Sequence, residues 1–234
     1  MYRWVWISDS HGDKAHAGTL ATFRAVVEDY KPDCRIHGGD LFDFRWLRRA
    51  ARDEEKREQI EADVESGCDL LDWYRPHVVT MGNHDDRLAR SMASDTGHLR
   101  FLCSQLWDRI KAASPATTWL PYNKRVLYRL GGVAFVHGFG HGQNAARKHA
   151  EVYGDVIFGH CHHIEQASVA RLTETGSHAR GVIGGCACDL DMDYAAAQLT
   201  PLRWQHGFLW GTYDADRLIV HQAREEAGQW VNLP

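Results

Sequence analysis

Five short apolar runs in this chain each break off into polar residues set beside a glycine. WVWIS leads into Asp9-Ser10-His11-Gly12, CRIH into Gly38-Gly39-Asp40, and VVTM into Gly82-Asn83-His84. VAFV leads into His137-Gly138, and DVIF into Gly159-His160-Cys161-His162. Such runs are strand-length and too short for helices. In open α/β sheets the ligand crevice lies beyond the carboxyl ends of the strands, so these endings are expected along one sheet edge. The glycines allow tight turns and close backbone approach beside the polar groups.

The intervening segments complete the pattern. RWVWIS (3–8) reads as a strand, Thr19 to Tyr30 as a helix, and CRIH (34–37) as a strand. A long charged helix is expected from Arg45 to Tyr74, then the strand HVVTM (77–81), then helix through much of 86–112. This βαβαβ alternation predicts parallel strands. YKPDCRIHGGD (30–40) and YRPHVVTMGNH (74–84) repeat one order: helix end, proline, apolar strand, glycine, polar residue. Farther on, RVLYRL and VAFVHG predict a hairpin closed at Gly131-Gly132. A helix near 143–151 and the strand DVIFGH follow, and short strands with glycine-rich turns run to GFLWGTYD and RLIVHQA. With no linker or low-complexity stretch, residues 1–234 are expected to form a single α/β domain, two sheet layers with helices packed outside.

Composition narrows the class of protein. Charged residues make up 25%, the formal net charge is −4 and the cysteines number six, with no CxxC pair. A generically basic nucleic-acid binder, a disulfide framework and a four-cysteine zinc site are all disfavoured. No apolar run approaches the roughly 20 residues that cross a bilayer, and MYRWVWISD is too short for a signal-peptide apolar region. A soluble cytoplasmic protein with no membrane contact is expected.

FGHCHH (158–163) concentrates imidazoles at a strand end. On an extended strand His160 and His162 share one face and could grip one ion or two neighbouring ions. Two aspartates, one asparagine and four histidines are too many donors for a single tetrahedral zinc. They suit two divalent ions about 3.5–4 Å apart. Mixed imidazole and carboxylate ligation favours Mn²⁺, with Fe or Zn²⁺ next, over Ca²⁺.

The ordered series DSH, GGDLFD, GNHD, VHG and GHCH, spanning residues 9 to 162, resembles the calcineurin-like binuclear metallophosphoesterases. The resemblance implies a metallophosphoesterase-type two-layer β-sandwich flanked by helices, and a hydrolase using a metal-bridging hydroxide. It assigns Asp9, His11, Asp40 and His162 to a first metal. Asn83, His137 and His160 go to a second, with Asp40 bridging. His84 matches the family's non-ligand histidine, which stabilises or protonates the leaving oxygen, and Asp43 matches the acidic residue that orients it. The protein-phosphatase motif GDxVDRG carries a phosphate-clamping arginine where this chain has Phe44. GGDLFD with GNHD looks more like the superfamily's DNA-repair nucleases and cyclic-nucleotide phosphodiesterases, and HGxGHGxxAA resembles small phage and prophage phosphoesterases.

A phosphodiesterase acting on DNA, RNA or a nucleotide is therefore the first expectation. A phosphomonoesterase, including a protein phosphatase, using Arg87 or Arg147 is the second, and a non-catalytic metal-binding scaffold the third. On the expected helix Arg45, Arg48, Arg49 and Arg52 form one stripe with Trp46 beside it, suited to a nucleic-acid backbone. The ladder Arg49–Asp53–Arg57–Glu61 reads instead as a solvated helix face. Ile60, Val64, Cys68 and Leu71 mark that helix's buried seam. Arg45, Arg48 and His141 are the candidate substrate contacts. His163 reads as structural, Asp189, Asp191 and Asp193 as an exposed turn, and Cys186 with Cys188 as small residues packing near a strand end.

Overall fold

The computed structural model describes residues 1–48, 51, 53, 60–171, 177–192 and 200–234. Strands β1 (Tyr2–Ile7), β2 (Cys34–His37), β3 (Val78–Thr80) and β4 (Thr118–Leu120) lie side by side and parallel. Helices cross between them: α1 (Ala17–Tyr30), α2 (Ile60–Tyr74), then α3 (Asp85–Ser91) and α4 (Gly97–Ala113). The chain returns to this sheet at its end. There β10 (Gly207–Tyr213) pairs antiparallel with β1, followed by β11 (His221–Glu226) and β12 (Gln229–Val231), which closes a seven-stranded sheet.

The second sheet has five strands. β5 (Tyr128–Leu130) and β6 (Val133–Phe135) form the hairpin at Gly131-Gly132, where φ is 52° and 79°. Positive φ at both turn positions matches the twist of a two-residue hairpin. Helix α5 (Ala145–Tyr153) crosses to β7 (Val156–Phe158), which pairs parallel with β6 and with β9 (His178–Gly184); β8 (Ile164–Ala170) forms the edge.

Alternation along β1 joins the layers. Trp4 and Trp6 point with Cys34 and Ile36 into the space between sheets, against Phe135, Ile157 and Val182. Val5 and Ile7 point the other way, against Phe23, Val64, Leu71 and Tyr74 under the helices. Both tryptophans are fully buried, and each contributes about 4–6 kcal/mol of apolar burial. On the far side Ala145 and Ala146 of α5 sit on Val156, Phe158 and Ile183. The result is a helix–sheet–sheet–helix sandwich, the mixed α/β architecture the sequence predicts.

Two local expectations fail. The helix expected from Arg45 to Tyr74 is present at Ile60–Tyr74, but its expected start, Arg45–Leu47, is a 3₁₀ turn, and Arg48 is extended at φ −64°, ψ 132°. The cause lies upstream: Phe44 is left-handed at φ 45°, and the backbone N–H groups of Asp43 and Phe44 are held by Asp63 of α2. The arginine stripe therefore does not form through Arg48, while Arg49, Arg52 and Arg57 lie outside the described residues. The buried seam of α2 is also rotated from the one expected, running Asp63, Val64, Gly67, Leu70, Leu71, Tyr74. Ile60 and Cys68 are half-buried beside it.

Candidate metal centre

The polar residues that end β1, β2, β3, β6 and β7 converge at one edge of the sandwich. The loops after β1 and β2 run together through Asp9 N–H to Gly39 O (2.9 Å), His11 N–H to Asp40 O (3.0 Å) and Gly12 N–H to Leu41 O (2.8 Å). The second sheet joins them where the Asp9 carboxylate accepts the His160 N–H at 3.1 Å. Asp9, His11, Asp40, His160 and His162 all have φ between 47° and 65°, five of the eleven non-glycine residues with positive φ among those described. Such backbone strain, of order 1–3 kcal/mol each, concentrates at functional sites. Glycine makes room at the closest approaches: a Cβ on Gly82 would lie 2.1 Å from Asp40 Oδ1, and one on Gly159 2.3 Å from Asp9 Oδ2.

Strand alternation does not bring His160 and His162 here, because β7 ends at Phe158 and both histidines are left-handed. They nevertheless serve two different groups. His160 lies with Asp40 and His137, and His162 with His11 and Cys188, within reach of a common ion in each case; Asp9, His11 and Asp40 form another such set. His162 Nε2 is 3.3 Å from Asp9 Oδ1 and 3.3 Å from His11 Nε2. Asp40 Oδ2 is 3.2 Å from His137 Nε2 and 4.0 Å from both His11 Nε2 and His84 Nε2.

The donor atoms fit divalent cations. His137 Nδ1–H donates to Gly38 O at 2.9 Å, which directs Nε2 at the Asp40 carboxylate 3.2 Å away. At that separation either a proton or a cation must lie between the two. Among the described residues Asn83 Oδ1 is buried without a hydrogen-bond partner, a costly arrangement for a polar atom that takes no ion. The set is imidazole, carboxylate and amide oxygen, which suits Mn²⁺, Fe or Zn²⁺.

Charge follows the same plan. Burial would raise the Asp9 carboxyl, but His162 and His137 override it and bring it down to about 2. Asp40 is also buried, yet His137 and His84 hold it well below the usual carboxylate range. Burial would lower the two facing histidines, but Asp40 pushes His137 up to about 9 and Asp9 pushes His162 up to about 8. His160, buried next to His137, falls to about 3.

His84 stands at the rim with Asp43. Its Nδ1 is 2.6 Å from Asp43 Oδ1 and 3.0 Å from Asp43 O, so Nδ1 carries the proton. Its Nε2 accepts from Arg87 Nη2 at 3.2 Å, while Arg87 Nη1 donates to Asp43 O at 2.8 Å. Burial works against the Asp43 charge, but hydrogen bonds to His11 and His84 hold its pKa far below normal.

The candidate substrate contacts are less uniform. Arg45 is engaged with Asp13 through two 2.7 Å bonds and approaches Asp43 Oδ2 at 3.4 Å. Arg48 is half-buried beyond the 3₁₀ turn. His141 is exposed, its ring 6.1 Å from that of His160. Arg147 pairs with Glu151 on the exposed face of α5. His163 is buried between Glu165 and Cys161 O, and Asp189 and Asp191 are exposed; Asp193 lies outside the described residues.

Four residues here have roles that the motifs do not announce, although Asp85 is itself the last residue of GNHD. Asp63 Oδ1 and Oδ2 accept the Asp43 and Phe44 N–H groups at 3.0 and 2.7 Å, and the only sequence signal is a carboxylate in a helix's buried seam. Asp85 accepts the N–H groups of Leu41 and Phe42 at 3.1 Å and of Gly82 at 2.9 Å, tying the Asp40 loop to the Asn83 loop. Cys188 is more than a packing residue: its Sγ is 3.7 Å from His162 Nδ1, a contact that leaves Nε2 facing Asp9 and His11. Trp204 lies over His162 with ring centroids 4.4 Å apart.

A two-sheet sandwich with acidic and imidazole donors gathered at its strand ends defines a metal-binding phosphoesterase fold. The sequence pattern of the calcineurin-like phosphoesterase family matches residues 2–185, and the chain belongs to that family. Among solved structures, a single mutant of Vps29 from Entamoeba histolytica is similar in fold, with a TM-score of 0.50, 14% identity and 99% of each chain covered. Wild-type Vps29 complexed with zinc, from the same organism, aligns at TM-score 0.46, 14% identity and 99% of each chain. TT1561 of Thermus thermophilus aligns at 0.39, with 10% identity over 94% of this chain and 97% of that one. No curated protein matches this chain. Among the described residues no helix is long and apolar enough to cross a membrane.

Proposed function

We propose that this chain hydrolyses phosphodiesters of nucleic acid or nucleotides with two divalent metal ions. The observation that carries the reading is His84, fixed by Asp43 with Nε2 4.0 Å from Asp40 Oδ2. Asp9, His11, Asp40 and His162 would hold one ion and Asn83, His137 and His160 the other, with Asp40 shared. Bound ions would supply Lewis acidity to the phosphoryl oxygens and lower the pKa of a coordinated water. Manganese suits the donor set, with iron or zinc as the alternatives.

The chain's own groups supply the rest. Asp43 keeps the His84 proton on Nδ1 and stabilises the imidazolium formed when Nε2 also takes a proton. From Nε2 that proton passes to the leaving oxygen. Arg87, anchored on Asp43 O beside Nε2, lies where a phosphoryl oxygen could replace His84 as its acceptor. Phe44 favours a diester over a monoester: where a protein-phosphatase motif carries its clamping arginine, this ring is 1% exposed and stacked on Phe42. The second reading, a phosphomonoesterase, is favoured by Arg87, whose guanidinium could bind a terminal phosphate instead.

Turnover of bis-p-nitrophenyl phosphate and p-nitrophenyl phosphate with Mn²⁺, with His84→Ala as control, tests this reading. Faster diester turnover that is lost in the variant is expected. Faster monoester turnover would transfer the assignment to the second reading. Metal binding with neither activity would overturn both and leave a scaffold.

A further inference from the structure

A pair of aromatic rings stands beside the metal centre at His137. Tyr122 sets its ring edge-on to His137, with centroids 5.8 Å apart, and stacks on Phe139 at 4.8 Å and 22°. Both rings are fixed to the scaffold. Tyr122 Oη–H donates to Gly138 O at 3.2 Å, and Phe139 N–H donates to His149 Nε2 at 2.9 Å. His149 is itself stacked on Phe158 at 3.9 Å.

The Tyr122 flank opens into a groove of ≈ 690 Å³ lined by Tyr122, Asn123, Lys124, Arg125, Phe139 and Gly140. Lys124 and Arg125 are exposed, and among the described residues neither side chain has an ion pair. The net charge of the chain is −4, so these cations are a local feature rather than part of a basic surface. Rings that accept any base face, next to cations that follow a phosphate backbone, are the elements of single-strand recognition.

We propose that a single-stranded nucleic acid reaches the metal centre along the Tyr122–Phe139 groove, its bases on those two rings and its phosphates on Lys124 and Arg125. This rests on the phosphodiesterase reading and extends it to substrate class. A small monoester would occupy only the centre and would not need the groove. A phosphopeptide would gain from the two cations but would have no general use for the ring faces.

The test uses the metal-loaded protein and a fluorescein-labelled hexathymidylate with phosphorothioate linkages, followed by anisotropy across a salt series. The double substitution K124E/R125E, at two exposed positions, should weaken binding at least tenfold. It should also flatten the slope of log affinity against log salt by roughly 0.7 for each phosphate that is no longer neutralised. F139A should weaken binding about tenfold and leave the slope unchanged, since a stack carries no counterion. Wild-type protein that does not bind the oligonucleotide, or K124E/R125E that binds it with wild-type affinity and slope, would overturn the proposal. So would equal competition by a phosphoserine peptide of the same charge. Turnover of bis-p-nitrophenyl phosphate separates the two claims: turnover without oligonucleotide binding removes the groove assignment alone, and binding without turnover removes the hydrolase assignment alone.

Discussion

Asparagine in place of Asp63 should change how stability depends on pH. Asp63 lies in α2, 2% exposed, and its carboxylate accepts the N–H groups of Asp43 and Phe44. Burial raises its pKa from 3.8 to about 7, because those two backbone donors only partly offset the loss of water and the nearby Asp43 charge adds to the rise. A folded state that binds this proton more tightly than the unfolded chain has its full advantage below pH 4. That advantage drains away as pH rises through 7. Each unit of the gap corresponds to about 1.4 kcal/mol, so the window is worth about 4 kcal/mol. Urea unfolding of wild-type and Asp63→Asn protein, both metal-free, at intervals between pH 4 and 8 gives the quantity directly. The wild-type value minus the variant value should fall by about 4 kcal/mol across that range, and the metal-ligand histidines cancel in the subtraction. A difference that stays flat would show that Asp63 ionises like an exposed carboxylate, and the account of its burial would be wrong.

Three further outcomes follow from the geometry. With His137 raised to about 9 and His162 to about 8, metal-free protein at pH 7 holds a proton on each. Loading with Mn²⁺ should release about two protons, measurable by titration calorimetry in buffers of different ionisation enthalpy, and apparent affinity should climb with pH until near 9. Release of none would contradict these shifts. Asp43→Asn should reduce diester turnover about 10–100-fold, as outer partners of active groups do, with metal content unchanged by elemental analysis; wild-type turnover would remove Asp43 from the mechanism. Gly82→Ala puts a methyl 2.1 Å from Asp40 Oδ1 and 2.5 Å from Asp40 N. It should abolish metal retention while the far-ultraviolet circular dichroism is preserved, and full retention would sink the close-approach argument.

The parts of the site legible in the sequence are those written as contiguous words. A strand, a glycine and a donor within three residues fix both position and chemistry, so Asp9, Asp40, Asn83 and His137 can be read directly. The same reading misapplies strand alternation to His160 and His162. Gly159 ends the ladder there, and the His160 N–H turns to the Asp9 carboxylate rather than to a neighbouring strand. Charge spacing suggests one helix from Arg45 because i,i+4 pairs are visible in sequence. The carboxylate that captures the loop N–H groups comes from Asp63, 19 and 20 residues farther on. Cys188 and Trp204 escape for the same reason, and so do the bonds of Asp85 to Leu41 and Phe42, although Asp85 itself closes GNHD: each is a long-range contact, and one sequence records no such contact.

The two proposed ions also have a mechanical meaning. Asp9, Asp40 and Asn83 follow strands of the seven-stranded sheet, while His137, His160 and His162 follow strands of the five-stranded one. Cations held among them would stitch the sandwich along its open seam. Saturating each at a hundred times its dissociation constant would add about 2.7 kcal/mol against the sheets parting. The coupling runs in both directions. The spacing between the ligand sets is gauged by the packed layer of Trp4, Trp6, Phe135 and Ile157, so thinning that layer would loosen the grip on metal without altering a single ligand.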